Sequence, residues 1–91
     1  MPKVLIVGRY IIYFWSDEKE PVHIHIAIKK PTQDATKIWL TKSGGTIIAN
    51  NKSKIPEHDL NKLLEIISDN FFLICNKWIS KFGEETLHFY C

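Results

Sequence analysis

His23 and His25 stand one residue apart in Pro21-Val22-His23-Ile24-His25-Ile26, a stretch whose branched residues read as a β-strand. Strand side chains alternate between faces, so the two imidazoles share one face and Ile24, Ile26 and Ile28 share the other. Histidine titrates near neutral pH, and a pair held in fixed geometry can bind a metal ion or move protons. A zinc site as a rule needs at least three protein ligands. The candidates for a third are Asp17, Glu18, Glu20, His58 and His88, none at a diagnostic spacing, so neither a metal nor another cofactor is expected. The alternative is acid-base chemistry of the kind used by metal-independent ribonucleases. One imidazole takes the proton of a 2′-hydroxyl nucleophile and the other protonates the leaving group. That requires one neutral and one charged imidazole, a difference that a nearby carboxylate such as Glu18 can set. Arg9, the only arginine, or Lys37 or Lys42 would then stabilise charge developing on phosphorus. The plainest reading gives the histidines no chemistry: half-buried strand residues that hydrogen-bond carboxylates of the preceding loop and fix its turn.

Other residues could support recognition. Tyr10, Tyr13, Phe14, Trp15 and Trp39 would give bases a stacking platform, although strand aromatics mostly fill cores. Phe14 and Trp15 point to opposite faces, so only part of the set, Trp39 included, can be exposed. The lysines at 29, 30, 37, 42, 52 and 54 are by default a solvated surface, and they could also form a positive rim beside the histidine face. His58 and His88 read as surface residues, and Trp78 as core.

The elements that position these residues follow from pattern. Lys3 to Val7 and Tyr10 to Trp15 read as a hairpin about Gly8-Arg9, Val22 to Ile28 as a third strand, and Ala35 to Thr41 as a fourth. Gly44-Gly45 leads into a short apolar piece, Thr46-Ile47-Ile48, which makes four or five antiparallel strands. After the polar connector Asn50 to Lys54 the periodicity changes. Leu60, Leu63, Leu64 and Ile67 recur at helical spacing, Ser68-Asp69-Asn70 interrupts, and Phe71, Ile74, Cys75, Trp78, Ile79 and Phe82 resume it as far as Gly83. Two helices are favoured over one bent helix. Pro56 fits a first helical turn, and Thr86 to Cys91 alternates as a terminal edge strand would. The expectation is an α+β domain over residues 1–91: strands in 1–49, helices in 55–83 on one face of the sheet, and a tail in 84–91. The histidines then fall on the helix-free face.

With 91 residues, 45% of them hydrophobic and 12% aromatic, the chain suits one folded domain with a modest core. A net charge of +2 permits a nucleic-acid partner without demanding one. Cys75 and Cys91 lack the spacing of a disulfide framework and suit a reducing compartment. The amino-terminal apolar run is too short for a signal-peptide core, and no stretch approaches membrane-span length, so a cytoplasmic protein without membrane association is expected.

The succession Ile12 to Glu18, Pro21 to Ile26, Ala35 to Leu40 and the leucine-striped helix leading to Trp78 and Phe82 resembles the small bacterial proteins grouped as domain of unknown function 4160. That group is similar to DhiT-type toxins of type II toxin-antitoxin modules, often encoded beside a small partner of uncharacterised family 2442. The likeness covers about residues 2 to 83. Its motif of aromatic, serine, acidic residue, Glu, Pro and HIH falls on Trp15, Ser16, Asp17, Glu18, Pro21, His23 and His25. Family members commonly carry a histidine after the glutamate and a second proline before HIH, where this chain has Lys19 and Val22. Lys19 cannot replace a metal-binding histidine while charged, but it can contact phosphate.

The resemblance implies a toxin-antitoxin context, with a small cognate antitoxin or other protein as partner, but supplies no reaction. The histidine pair itself adds the expectation of an action on RNA or translation. Glu18, His23 and His25 would act on the substrate, and Arg9, Lys19, Lys37, Trp39 and Lys42 would bind it. A ribonuclease-like activity and a homodimer are both compatible with these expectations. The other class is a non-enzymatic binding module, an antitoxin-like protein or a regulator's partner.

Overall fold

The computed structural model describes residues 3–14, 20–32 and 34–91. Five strands run in chain order: β1 (Lys3–Val7), β2 (Tyr10–Tyr13), β3 (His23–Ile28), β4 (Thr36–Leu40) and β5 (Thr46–Asn50). They form a single antiparallel meander, β1-β2-β3-β4-β5, with β3 at its centre. Short connections make this order the natural one, since each strand pairs with its chain neighbour. At the first hairpin Gly8 has φ +57°, the positive angle that tight two-residue connections between twisted strands require.

Helices α1 (Glu57–Asp69) and α2 (Phe71–Phe82) follow, so the α+β order read from the sequence holds, with all five strands formed. Pro56 is the residue that caps α1 rather than part of its first turn, and Glu57 and Asp59 lie near the positive end of the helix dipole. Asn70 separates the two helices. Its backbone, at φ −109° and ψ 24°, departs from the α-helix. Its side-chain amide donates to the Ile66 carbonyl at 2.8 Å, closing the first helix, and its carbonyl accepts from the Ile74 N–H at 3.0 Å, opening the second. Among the described residues no helix is long and apolar enough to cross a membrane.

The main core lies between sheet and helices. Ile12, Ile24, Ile26, Ile38 and Leu40 from the strands meet Leu63, Ile67, Ile74 and Trp78 from the helices, all fully or almost fully buried. A smaller cluster on the opposite face contains Ile11, Tyr13, Ala27 and Ala35. The histidine-bearing face is therefore not an open one. Part of its cover is the β3–β4 connection, where Tyr13 reaches Thr32 by donating its hydroxyl to the carbonyl at 2.9 Å.

The tail departs from the edge strand its alternation suggests. Glu84–Thr86 form a short 3₁₀ turn, and the chain beyond is extended without entering the sheet. Its bonds explain why. The Val22 N–H donates to the His88 carbonyl at 2.8 Å and the Lys42 N–H to the Cys91 carbonyl at 3.0 Å. Val22 just precedes β3 and Lys42 lies just beyond β4, so the tail crosses one end of two strands that already have neighbours. It can bond only at their termini, and no ladder develops.

Candidate functional site

β3 and β4 pair so that His23 stands opposite Trp39 and His25 opposite Lys37. On the other side of β3, Tyr13 of β2 stands opposite His25. Strand alternation thus does bring the two imidazoles to one face, beside two of the residues expected to bind, Lys37 and Trp39.

His23 is only 3% exposed. A nitrogen of its ring, Nδ1, lies 2.8 Å from the Pro21 carbonyl, which can only accept, so the proton sits on Nδ1. Its ring lies 5.1 Å from that of His25, 5.5 Å from Trp39 and 5.6 Å from Trp78 of α2. The expectation of an open, helix-free surface is corrected for His23, which is buried with its ring against that of Trp78 on α2.

His25 is half-buried and stacks on Tyr13 at 5.6 Å. Burial chiefly, then the nearby charges of His23 and Lys37, push its pKa down to about 4, with Glu20 opposing them. At neutral pH this imidazole is uncharged. The same burial raises the Tyr13 hydroxyl above its usual range.

Lys37 stands opposite His25 and brings a cation to the pair. Its side chain is 17% exposed, its ammonium donates to Glu20 Oε1 at 2.7 Å, and it lies 4.2 Å from the centre of the Trp39 ring. Trp39 in turn carries Tyr90 of the tail, ring on ring at 5.0 Å and 8° from parallel. The assembled surface is a run of Glu20, Lys37, Trp39 and Tyr90 beside His25.

Other expected residues fall elsewhere. Glu18 and Lys19 lie outside the described residues, as do Trp15, Ser16 and Asp17. Arg9 is not at the histidine pair. Its carbonyl accepts from Lys29, four residues along from His25, or roughly 13 Å at the rise of a strand. Its guanidinium lies 3.6 Å from Asp59 of α1, which also accepts from the Tyr10 hydroxyl at 2.6 Å. That interaction raises the Arg9 pKa and lowers that of Asp59, chiefly through Tyr10 in each case. Lys42 is exposed three residues past Trp39 and meets the tail through its backbone. His58 is exposed beside Asp59 on α1. Among the described residues no three of His, Cys, Asp and Glu are grouped so as to hold a metal ion.

Glu20 and Tyr13 belong to the site in other roles than the third metal ligand and the base-stacking ring the sequence offered, and Tyr90 belongs to it without having been singled out. Tyr13 was legible as a strand aromatic in phase with His25, and Glu20 as the carboxylate nearest the strand. Nothing local marks Tyr90, since its place depends on the path of the tail.

The fold and site define a small α+β protein: an antiparallel meander backed by two helices, with a polar and aromatic strip on its central strands. The chain belongs to the family described as Domain of unknown function (DUF4160), whose profile matches residues 10–79. No curated protein and no solved structure matches the chain.

Proposed function

We propose that this protein is the effector of a two-component, toxin-antitoxin-like module and that it inhibits growth by holding single-stranded RNA on the Lys37–Trp39 strip. The toxin context is supported by the sequence resemblance of the HIH segment and its flanks. The RNA reading is carried by one observation: a lysine ammonium 4.2 Å over an indole ring on one face of two paired strands. Proteins that hold single strands combine cations for the backbone with aromatic faces for the bases. The Glu20 carboxylate on Lys37 is 47% exposed, and a surface pair of this kind is worth at most about 1 kcal/mol, so phosphate can replace it.

Holding is favoured over cleavage by the protonation of His25. An acid that must donate at pH 7 is almost wholly unprotonated when its pKa is about 4, and a base this weak lies far from the optimum near the working pH. A second reading is a binding module with no growth-inhibiting action of its own. Phe72 and Leu73 favour it, because they expose apolar surface at the start of α2 where a partner protein could dock.

Expression of the chain alone in bacterial cells tests the proposal. Growth arrest is expected, and Trp39→Ala should relieve it. With purified protein, Trp39→Ala should weaken binding of a labelled single-stranded RNA by about five- to a hundredfold in anisotropy, the range of a single lost base stack. His25→Ala should leave the arrest largely intact. Loss of arrest together with loss of RNA fragments would restore cleavage, and harmless expression with no RNA binding would favour the binding module.

A further inference from the structure

Both recognition elements of the strip are already occupied by the chain itself. The Trp39 ring carries the Tyr90 ring nearly parallel at 5.0 Å, and the Lys37 ammonium holds a carboxylate oxygen of Glu20 at 2.7 Å. A flat ring with a polar substituent on an indole face has the arrangement of a stacked base. An anionic oxygen at hydrogen-bond distance from an ammonium has that of a backbone phosphate.

We propose that Tyr90 and Glu20 are internal stand-ins for the base and the phosphate of one nucleotide, and that the tail is a strap which RNA must displace to reach the strip. The inference rests on the RNA reading of the site. Three observations support a displaceable contact over a permanent one. Tyr90 is 59% exposed, although it is a large ring stacked on another. The tail is fastened upstream of it, by the His88 carbonyl on Val22, by Thr86 on the Trp78 indole N–H at 3.0 Å, and by Phe89 stacked on Phe71. Beyond Phe89 the backbone bond from Lys42 to Cys91 remains. Once that single bond breaks, Tyr90 can swing away about an anchored Phe89 without unfolding the rest of the tail. Glu20, Lys37 and Trp39 lie within the family's matched segment, whereas Tyr90 lies past its end at residue 79, so the ring that covers the strip is separate from the segment that forms it.

The test is binding of a short labelled single-stranded RNA to the full chain, measured by anisotropy, with circular dichroism to establish folding. Tyr90→Ala should bind about two- to tenfold more tightly than the unmodified chain, the worth of one aromatic pair removed from competition. Glu20→Gln should tighten binding by up to about fivefold. Tyr90→Trp, which keeps and enlarges the stacked ring, should bind more weakly than the unmodified chain and serves also if the alanine variant does not fold. The gain from Tyr90→Ala should vanish when Trp39→Ala is added. If the unmodified chain binds RNA and Tyr90→Ala binds equally or less well, the strap is overturned and the RNA reading stands. A gain that survives Trp39→Ala also overturns it. If neither the unmodified chain nor any variant binds, the RNA reading fails and the strap with it.

Discussion

The two faces of β3 are both buried, but by different partners. Ile24 and Ile26 are wholly enclosed in the main apolar core, where the helices contribute Leu63, Ile67, Ile74 and the Trp78 ring. On the reverse face, His23 and His25 are enclosed by rings, by the β3–β4 connection and at one end by α2 and the tail. The first face gains stability from apolar surface removed from water. On the second, each polar atom withdrawn from water needs a partner, and among the described residues no buried side-chain nitrogen or oxygen lacks one. A face that contributes less to stability while holding polar groups in fixed positions is suited to binding.

The largest effect should come from the aliphatic side. Ile26→Ala removes branched volume from a fully buried position and should destabilise the fold by about 2–5 kcal/mol in urea denaturation. A cost no greater than that of His25→Ala would mean that the two faces are equivalent.

The next effect belongs to the polar side alone. The folded-state pKa of His25, about 4, lies below the 6.5 of an unfolded histidine, so below pH 6.5 the unfolded chain takes up a proton that the folded chain refuses. Stability is unaffected by this group above pH 6.5, falls as pH drops from 6.5 towards 4, and falls no further below that. Because His25 is partly solvent-screened, about 1–2 kcal/mol is expected from it. His25→Gln should remove that part of the pH dependence, and an NMR titration showing His25 protonating near 6.5 would contradict it.

The smallest effect concerns the cover of that face. Tyr13→Phe keeps the ring against His25 and loses the hydrogen bond to the Thr32 carbonyl, and should cost about 1 kcal/mol. A simultaneous rise in the His25 pKa would show that the hydroxyl also helps to keep the imidazole from water.

Much of this was legible in the chain. The period-two spacing of His23 and His25 put both on one face, the three- and four-residue spacing of Leu60, Leu63 and Ile67 formed α1, and Asn70 ended it. The sequence also named Lys37 and Trp39, although as members of a wider set with Arg9 and Lys42. Selecting among that set required register. Only pairing in the sheet sets Lys37 opposite His25 and Trp39 opposite His23, and carries Arg9 to the far hairpin beside Asp59.

The sequence by itself determined which side chains share a face, because alternation along a strand and periodicity along a helix are local properties of the backbone. Tertiary structure alone decided what covers those faces. Trp78 of α2 meets His23, and Tyr90 meets Trp39 because the tail crosses the end of β3 and β4. Contacts between residues about fifty positions apart depend on the path of the whole chain. That path, with the burial it imposes, is what makes His25 a neutral imidazole in an occupied strip and not an exposed group poised to carry protons.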